Sequence, residues 1–383
     1  MRISIITTSR AEYGHLYWLI RTIAEHPDCA LDLVVAGAHQ SPEFGHTIRE
    51  IQKDGFPIGA CLSALPETDT RADMAHFSGQ LIQELTTHWQ TCRPDWVVVI
   101  ADRYEMLAPA VAATCLGLPI AHIEGGDVSG GALDDHVRNA LSKLAHLHFA
   151  PSQRCAQRLL AMGEAPWRVH HVGALSLERL VREALPSMEA LEATLGFQLP
   201  ERFLLAAMHP VTLADDVTAD FDALLAALAQ RPEPVIFCYP NADCGHRYIR
   251  EKIVMLCRNH PERYRAVVNL PHLHFIKLMD KATALIGNSS AGIMESPTVG
   301  VACLNVGDRQ LGRETSDNTL TVPATPEAIL EGIEIITSID FQRRARRCTN
   351  PYAPPAGQGY SSERIVQTLL TTPIDLRLLR KFP

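Results

Sequence analysis

Short apolar runs alternate with longer amphipathic stretches along the whole chain, and this rhythm restricts the fold more than any other feature. RISIIT (2–7), LDLVVAG (31–37), WVVVIA (96–101), PIAHIE (119–124) and LHFAPS (147–152) come first. RFLLAAMH (202–209), PVIFCYP (234–240), YRAVVNL (264–270), ATALIGNS (282–289) and VACLNVG (301–307) follow. Runs this apolar read as strands buried on both faces, the mark of parallel sheets. Between them, 14–26, 72–91, 104–116, 218–230, 246–259 and 291–300 have helical character. Strand then helix, repeated on both sides of a break, predicts an α/β fold of two doubly wound parallel sheets. The break falls within 174–201, where VREALPSMEALEATLGFQLPE is polar and carries two prolines. A length of 383 residues also exceeds what one ordinary hydrophobic core serves.

Charge and composition exclude several classes. With 35 basic and 43 acidic residues the net charge is −8, which argues against a general nucleic-acid binder. No apolar run reaches the length of a membrane span, and MRISIITTSR enters a strand at once instead of a secretory core, so a cytoplasmic protein is expected. The ten cysteines form no C-x-x-C pair. Cys115, Cys238 and Cys303 sit in apolar stretches and read as buried reduced thiols.

Open parallel sheets bind ligands beyond the carboxyl ends of their strands, and the polar clusters of this chain follow such ends. GNSSAGIMES (287–296) offers unpaired N–H groups, a helix start and the hydroxyls of Ser289 and Ser290 to a phosphate; the alternative is an ordinary Ser N-cap. Glu295 suits ribose hydroxyls. Arg10, after the first strand, suits a diphosphate or a surface pair with Glu12. Asp102, Glu124 and Asp134 follow strands of the same sheet, and grouped carboxylates suit general acid and base work. Their structural alternatives are an Asp102–Arg103 pair and capping of the helix HVRNALSKLAHL by Asp134 or Asp135. His209, in AAMHPVT, is a further candidate. HLHF occurs at 146–149 and 272–275, and His170 and His171 are adjacent; without a third ligand at suitable spacing these read as strand or loop histidines, and no metal site is expected.

SRAEYG, ADRYEMLAPAVAA, HIEGGDVSGGALDDHVRNALSKLAHLHF, MHPVT, YPNADCG, IGNSSAGIMESP and VGDRQLGRET, in that order, closely resemble the hydrolysing UDP-N-acetylglucosamine 2-epimerases. That family includes bacterial sialic-acid and legionaminic-acid pathway enzymes and the epimerase half of the bifunctional animal epimerase/kinase. The resemblance runs from residue 3 to about 365, and with the sequence ending at Pro383 no kinase domain is expected. It implies a glycosyltransferase-B-like fold: a Rossmann-like domain over 1–180 with the sugar-handling carboxylates, a nucleotide-binding one over 190–360, and a helix within 361–383 crossing back to the first. Asp102, Glu124 and Asp134 match the family's acid/base carboxylates and His209 its motif histidine near the diphosphate. Arg10, Ser289, Ser290, Glu295 and Arg313 match nucleotide-binding positions. Ala101 departs from the family's usual glycine, and Asp127 from its common glutamate.

The implied reaction is UDP-GlcNAc plus water giving N-acetylmannosamine and UDP, by elimination to 2-acetamidoglucal and then hydration. Two proton transfers and a hydration account for several carboxylates. No cofactor is expected, and the partner is a sugar nucleotide, with no nucleic acid and no membrane; family members are commonly dimers or tetramers, so a homodimer or homotetramer is expected. The alternatives are a 2,4-diacetamido (bacillosamine-type) sugar on UDP or GDP, a glycosyltransferase of the same fold, and a non-catalytic sugar-nucleotide sensor.

Overall fold

A computed structural model describes residues 1–65 and 68–381. Two compact units are assembled from interleaved pieces of chain. The first comprises Met1–Asp127, Asp134–Arg182 and Tyr352–Pro383, and the second Val128–Leu133 and Glu183–Pro351. Residues 382 and 383 of the expected returning segment lie outside the described residues.

The first unit holds a seven-stranded sheet of β1 (Arg2–Thr7), β2 (Ala30–Val35), β3 (Ile58–Cys61), β4 (Trp96–Ile100), β5 (Ile120–Ile123), β6 (Leu147–Ala150) and β7 (Val169–His171). Their order is β3-β2-β1-β4-β5-β6-β7, and every pairing is parallel. All of β4 is buried, and each of its valines adds roughly 1.5–3 kcal/mol through removal from water. The helix Arg10–Glu25 begins with a capping box in which the Ser9 side chain accepts from Glu12 N–H and the Glu12 carboxylate reaches back; such a cap meets orphan N–H groups at the helix start. The helix Ser361–Thr371 packs against it. There Thr22 Oγ1 donates to Ser362 Oγ at 3.0 Å, and Ser362 Oγ donates to Glu178 Oε1 at 2.6 Å. Beyond it, Lys381 Nζ lies 2.8 Å from Glu164 Oε2, and His148 Nε2 donates to the same oxygen at 2.9 Å. Burial alone would raise the Glu164 carboxyl, but these partners outweigh it and hold the group at about 2.

In the second unit β8 (Leu204–Ala207), β9 (Val235–Cys238), β10 (Tyr264–Val267), β11 (Ala284–Gly287), β12 (Cys303–Val306) and β13 (Thr319–Val322) form a parallel sheet in the order β10-β9-β8-β11-β12-β13. Phe221, Phe237, Ile286, Leu304 and Ile333 share its core. In both sheets the strand order turns around beside the first strand, at β1/β4 and at β8/β11. These are the points where doubly wound sheets open a crevice.

The α/β reading is therefore correct, with three strands added. β3, β7 and β13 all lie at sheet edges, where one side stays unpaired and a continuous apolar run is not required; β13 has no buried residue. The expected helix 291–300 is instead two four-residue pieces, Ala291–Met294 and Ser296–Val299, broken at Glu295 ahead of Pro297. The second HLHF opens the helix His272–Lys281 and is neither strand nor loop. Cys303 is buried, which pushes its thiol up to about 12. Cys238 is only partly covered, and Cys115, the last residue of its helix, is exposed, contrary to expectation.

Candidate active site

In the first unit the polar groups gather where β1, β4 and β5 end. Ile100 and Ile123 are register partners, so Asp102 and Glu124 leave adjacent strands. Glu124 is 5% exposed. Among the described residues its Oε1 has no hydrogen-bond donor, and His15 Nδ1 stands 3.6 Å away. A buried carboxylate oxygen without a hydrogen-bond donor costs stability, and the polar group that faces it here is the His15 ring. Beneath this turn His122 Nε2 donates to Ala101 O at 2.9 Å, and Ser142 Oγ donates to His122 Nδ1 at 3.2 Å. Burial lowers His122 to about 3 and keeps the ring neutral.

Asp102 accepts a hydrogen bond from Arg138 Nη2. Arg103 Nη2 donates to Glu105 Oε1 at 2.6 Å, and Arg103 Nε lies 3.8 Å from Glu12 Oε1. Burial raises the Glu12 carboxyl and Arg103 opposes that rise. Arg138 is almost fully buried in the helix Leu133–Leu144. Asp134 and Asp135 lie inside its first turn and are not its cap. Asp135 steadies neighbouring cations, with Arg138 Nη1 at 3.7 Å and Arg158 Nη2 at 3.6 Å. Asp134 sits four residues before Arg138, on the same helix face. Asp127 accepts from Tyr352 Oη, 3.4 Å from either carboxylate oxygen. Arg10 is the first residue of its helix, beside the Ser9 cap.

The glycines around these acids have steric work. Gly126 has φ 82°, and a Cβ on it would lie 2.3 Å from Cys155 O. A Cβ on Gly131 would lie 2.3 Å from Asp308 O.

In the second unit Asn288 joins two strand ends. Its Oδ1 accepts from His209 N–H at 2.7 Å and its Nδ2 donates to His209 O at 2.9 Å. Asn241 N–H donates to His209 Nδ1 at 3.1 Å, so the neutral imidazole carries its proton on Nε2. Arg309 Nη1 and Gln310 Nε2 both donate to Asn288 O, at 3.1 and 2.8 Å, and Arg313 Nη1 donates to Gln310 Oε1 at 3.0 Å. Ser289 Oγ accepts weakly from Ala291 N–H at 3.4 Å. Ser290 stands at the N-cap without using its hydroxyl as a cap. With a helix of only four residues behind them, these serines and N–H groups, more than an extended dipole, are what an anion would meet. Glu295 is buried, and His272 Nε2 lies 3.0 Å from its Oε1.

The first sheet thus brings Asp102, Glu124 and Asp134 to one end with Arg10, and the second groups His209, Ser289, Ser290 and Arg313 around Asn288. Arg138, His15, Tyr352, Asn288 and His272 are additions that sequence reasoning did not find. The helical spacing of Asp134, Asp135 and Arg138 is a readable signal for the first. The others meet their partners only through the fold.

The family model described as UDP-N-acetylglucosamine 2-epimerase matches residues 21–370. A Legionella pneumophila protein named UDP-N,N'-diacetylbacillosamine 2-epimerase (hydrolyzing) is 31% identical over 381 residues, covering 99% of this chain and 98% of its own. The Escherichia coli polysialic acid biosynthesis protein P7 is 31% identical over 354 residues, 92% of this chain and 90% of its own. Among solved structures, the Neisseria meningitidis UDP-GlcNAc 2-epimerase bound to UDP-GlcNAc superposes with a TM-score of 0.79 at 18% identity, over 97% of this chain and 100% of that one. Fold, motifs and relatives agree: the chain belongs to the hydrolysing UDP-N-acetylglucosamine 2-epimerase family.

Proposed function

We propose that the protein converts UDP-GlcNAc and water to N-acetylmannosamine and UDP. The observation that carries this reading is Glu124, a buried carboxylate with an unmatched oxygen beside His15, on the strand end next to Asp102. The C2 proton of the sugar is weakly acidic, so it departs only as the C1–O bond to the diphosphate breaks and positive charge builds on the ring. Carboxylates stabilise that charge, and one of Asp102, Glu124 and Asp134 takes the proton. UDP leaves with the bonding pair. Water then adds to the resulting 2-acetamidoglucal, its hydroxyl to C1 and a proton to the opposite face of C2.

In this reading the first unit supplies the acids that act on the sugar, and Arg138 orients Asp102. Arg10, Ser289, Ser290, Arg313 and His209, a donor through Nε2, offset the diphosphate charge, and Glu295, held by His272, takes ribose hydroxyls. The reaction as written needs no metal or cofactor.

Turnover in heavy water tests the proposal. N-acetylmannosamine should carry deuterium at C2 in nearly every molecule, with its C1 oxygen from solvent. Product protiated at C2 would remove the assigned roles of all three carboxylates. A second reading, hydrolysis and epimerisation of UDP-N,N'-diacetylbacillosamine, is favoured by the activity for which the near full-length Legionella relative is named. Diphosphate release from a panel of UDP and GDP sugars separates the two.

A further inference from the structure

A second cluster of ligating groups lies in the first unit at the opposite ends of the strands. Asp32 stands in the first half of β2, while His88 and Cys92 fall in the last turn and at the C-cap of the helix Arg71–Thr91 that leads into β4. In a parallel sheet such a helix returns to the strand starts, away from Asp102 and Glu124. Asp32 is 3% exposed. His88 Nε2 lies 3.0 and 3.1 Å from its two carboxylate oxygens, and one ligand atom each from Asp32, His88 and Cys92 lie within 4.8 Å of one another. The backbone makes room for this carboxylate. The β2–β3 register slips beside Gly59, where a Cβ would stand 2.2 Å from Asp32 Oδ1.

We propose that Asp32, His88 and Cys92 form a structural site for a borderline-soft divalent cation of the zinc class, with water in the fourth position. An Asp–His ion pair by itself explains neither a cysteine one helical turn after the histidine nor their convergence. The donor set of one O, one N and one S is the mixture such a cation takes, at about 2.0–2.3 Å per bond. Tetrahedral bonds of that length set ligand atoms about 3.3–3.8 Å apart, so the trio closes with a small rotation of Cys92. Charge also balances: a carboxylate and a thiolate offset a divalent ion in a largely buried place. On binding, the Cys92 S–H bond breaks and its proton goes to solvent. His88 binds through Nε2 with its ring proton on Nδ1, and the His88–Asp32 hydrogen bond is exchanged for two metal bonds. The ion would staple the end of this helix to β2, apart from the proposed chemistry.

The test is cobalt(II) titration of the chelator-stripped full chain, compared with Cys92→Ser, which keeps the Asp32–His88 pair and hence the fold, as circular dichroism would verify. The wild type should take up one equivalent with a thiolate-to-cobalt charge-transfer band. It should release at least one proton per ion, and zinc should raise its melting temperature. Cys92→Ser should lose the band, bind at least about 10-fold more weakly and show no zinc-dependent rise. Equal affinity and an equal band in Cys92→Ser would place the metal on other cysteines and overturn the proposal, as would no uptake by the wild type at micromolar cobalt.

Discussion

Ala101 and Glu124 leave neighbouring parallel strands by the same left-handed backbone step, at φ 56° and 62°. Each donates its amide to the next strand over, Ala101 to Ile123 O and Glu124 to Phe149 O, both at 2.8 Å. A side chain in this conformation costs about 1–2 kcal/mol, which explains why glycine suits position 101. Against that gain, a glycine loosens the unfolded chain by about 0.4–1 kcal/mol. Ala101→Gly should therefore raise the urea midpoint by an amount worth about 0.5 kcal/mol, and Ala101→Val, branched at Cβ, should lower it. A midpoint unchanged in both variants would contradict this ordering.

At Glu124 the same strain aims a side chain. Glu124→Gln preserves size and removes charge, so turnover should fall by roughly 100-fold or more while UDP affinity persists. Steady-state kinetics beside calorimetry checks this; near-normal turnover would make Glu124 structural.

Arg138 Nη2 holds the Asp102 carboxylate by a hydrogen bond. Arg138→Gln shortens the donor and removes its charge, so kcat should fall by roughly 10-fold or more while UDP affinity persists. Steady-state kinetics beside calorimetry checks this, and an unchanged kcat would show that Arg138 acts on something else.

Arg10 and Ser290 are assigned to the leaving group. Arg10→Ala combined with Ser290→Ala should weaken UDP binding by at least about 10-fold, a loss of roughly 1.4 kcal/mol. Isothermal titration with UDP reads this directly, and unchanged affinity would refute the assignment.

Two buried histidines and one half-buried one make the fold acid-sensitive. Burial lowers His39 and His122 to about 3 and His146 to about 4, against about 6.5 in an unfolded chain. Below that value the unfolded state binds more protons. Their contribution is complete above about pH 6.5 and is lost progressively as pH falls toward 4 and 3. Urea midpoints should fall steadily from about pH 7 to about pH 4.5, and a flat profile would show these rings protonated in the fold.

The sequence is informative where burial on both faces forces apolar runs, as in β1, β4 and β11, and where a strand end meets a polar cluster, as at Asp102, Glu124 and Ser290. It is silent on contacts that join remote segments. Nothing local announces that Asn288 clasps His209, or that His272 meets Glu295 across 23 positions. Edge strands such as Val169–His171 carry no apolar signature. Cys115 misleads because an apolar neighbourhood in sequence says little about which way the last residue of a helix turns.

The interleaving of chain segments bears on how the protein is made. The first unit stays unfinished on the ribosome until the segment from Tyr352 onward has been synthesised, because Asp127, Glu178 and Glu164 wait for Tyr352, Ser362 and Lys381. The second unit, complete in sequence by Pro351, can form while those three acids still lack these partners. A chain that ends short of Tyr352 therefore carries every strand of both sheets yet lacks the partners that close the first unit.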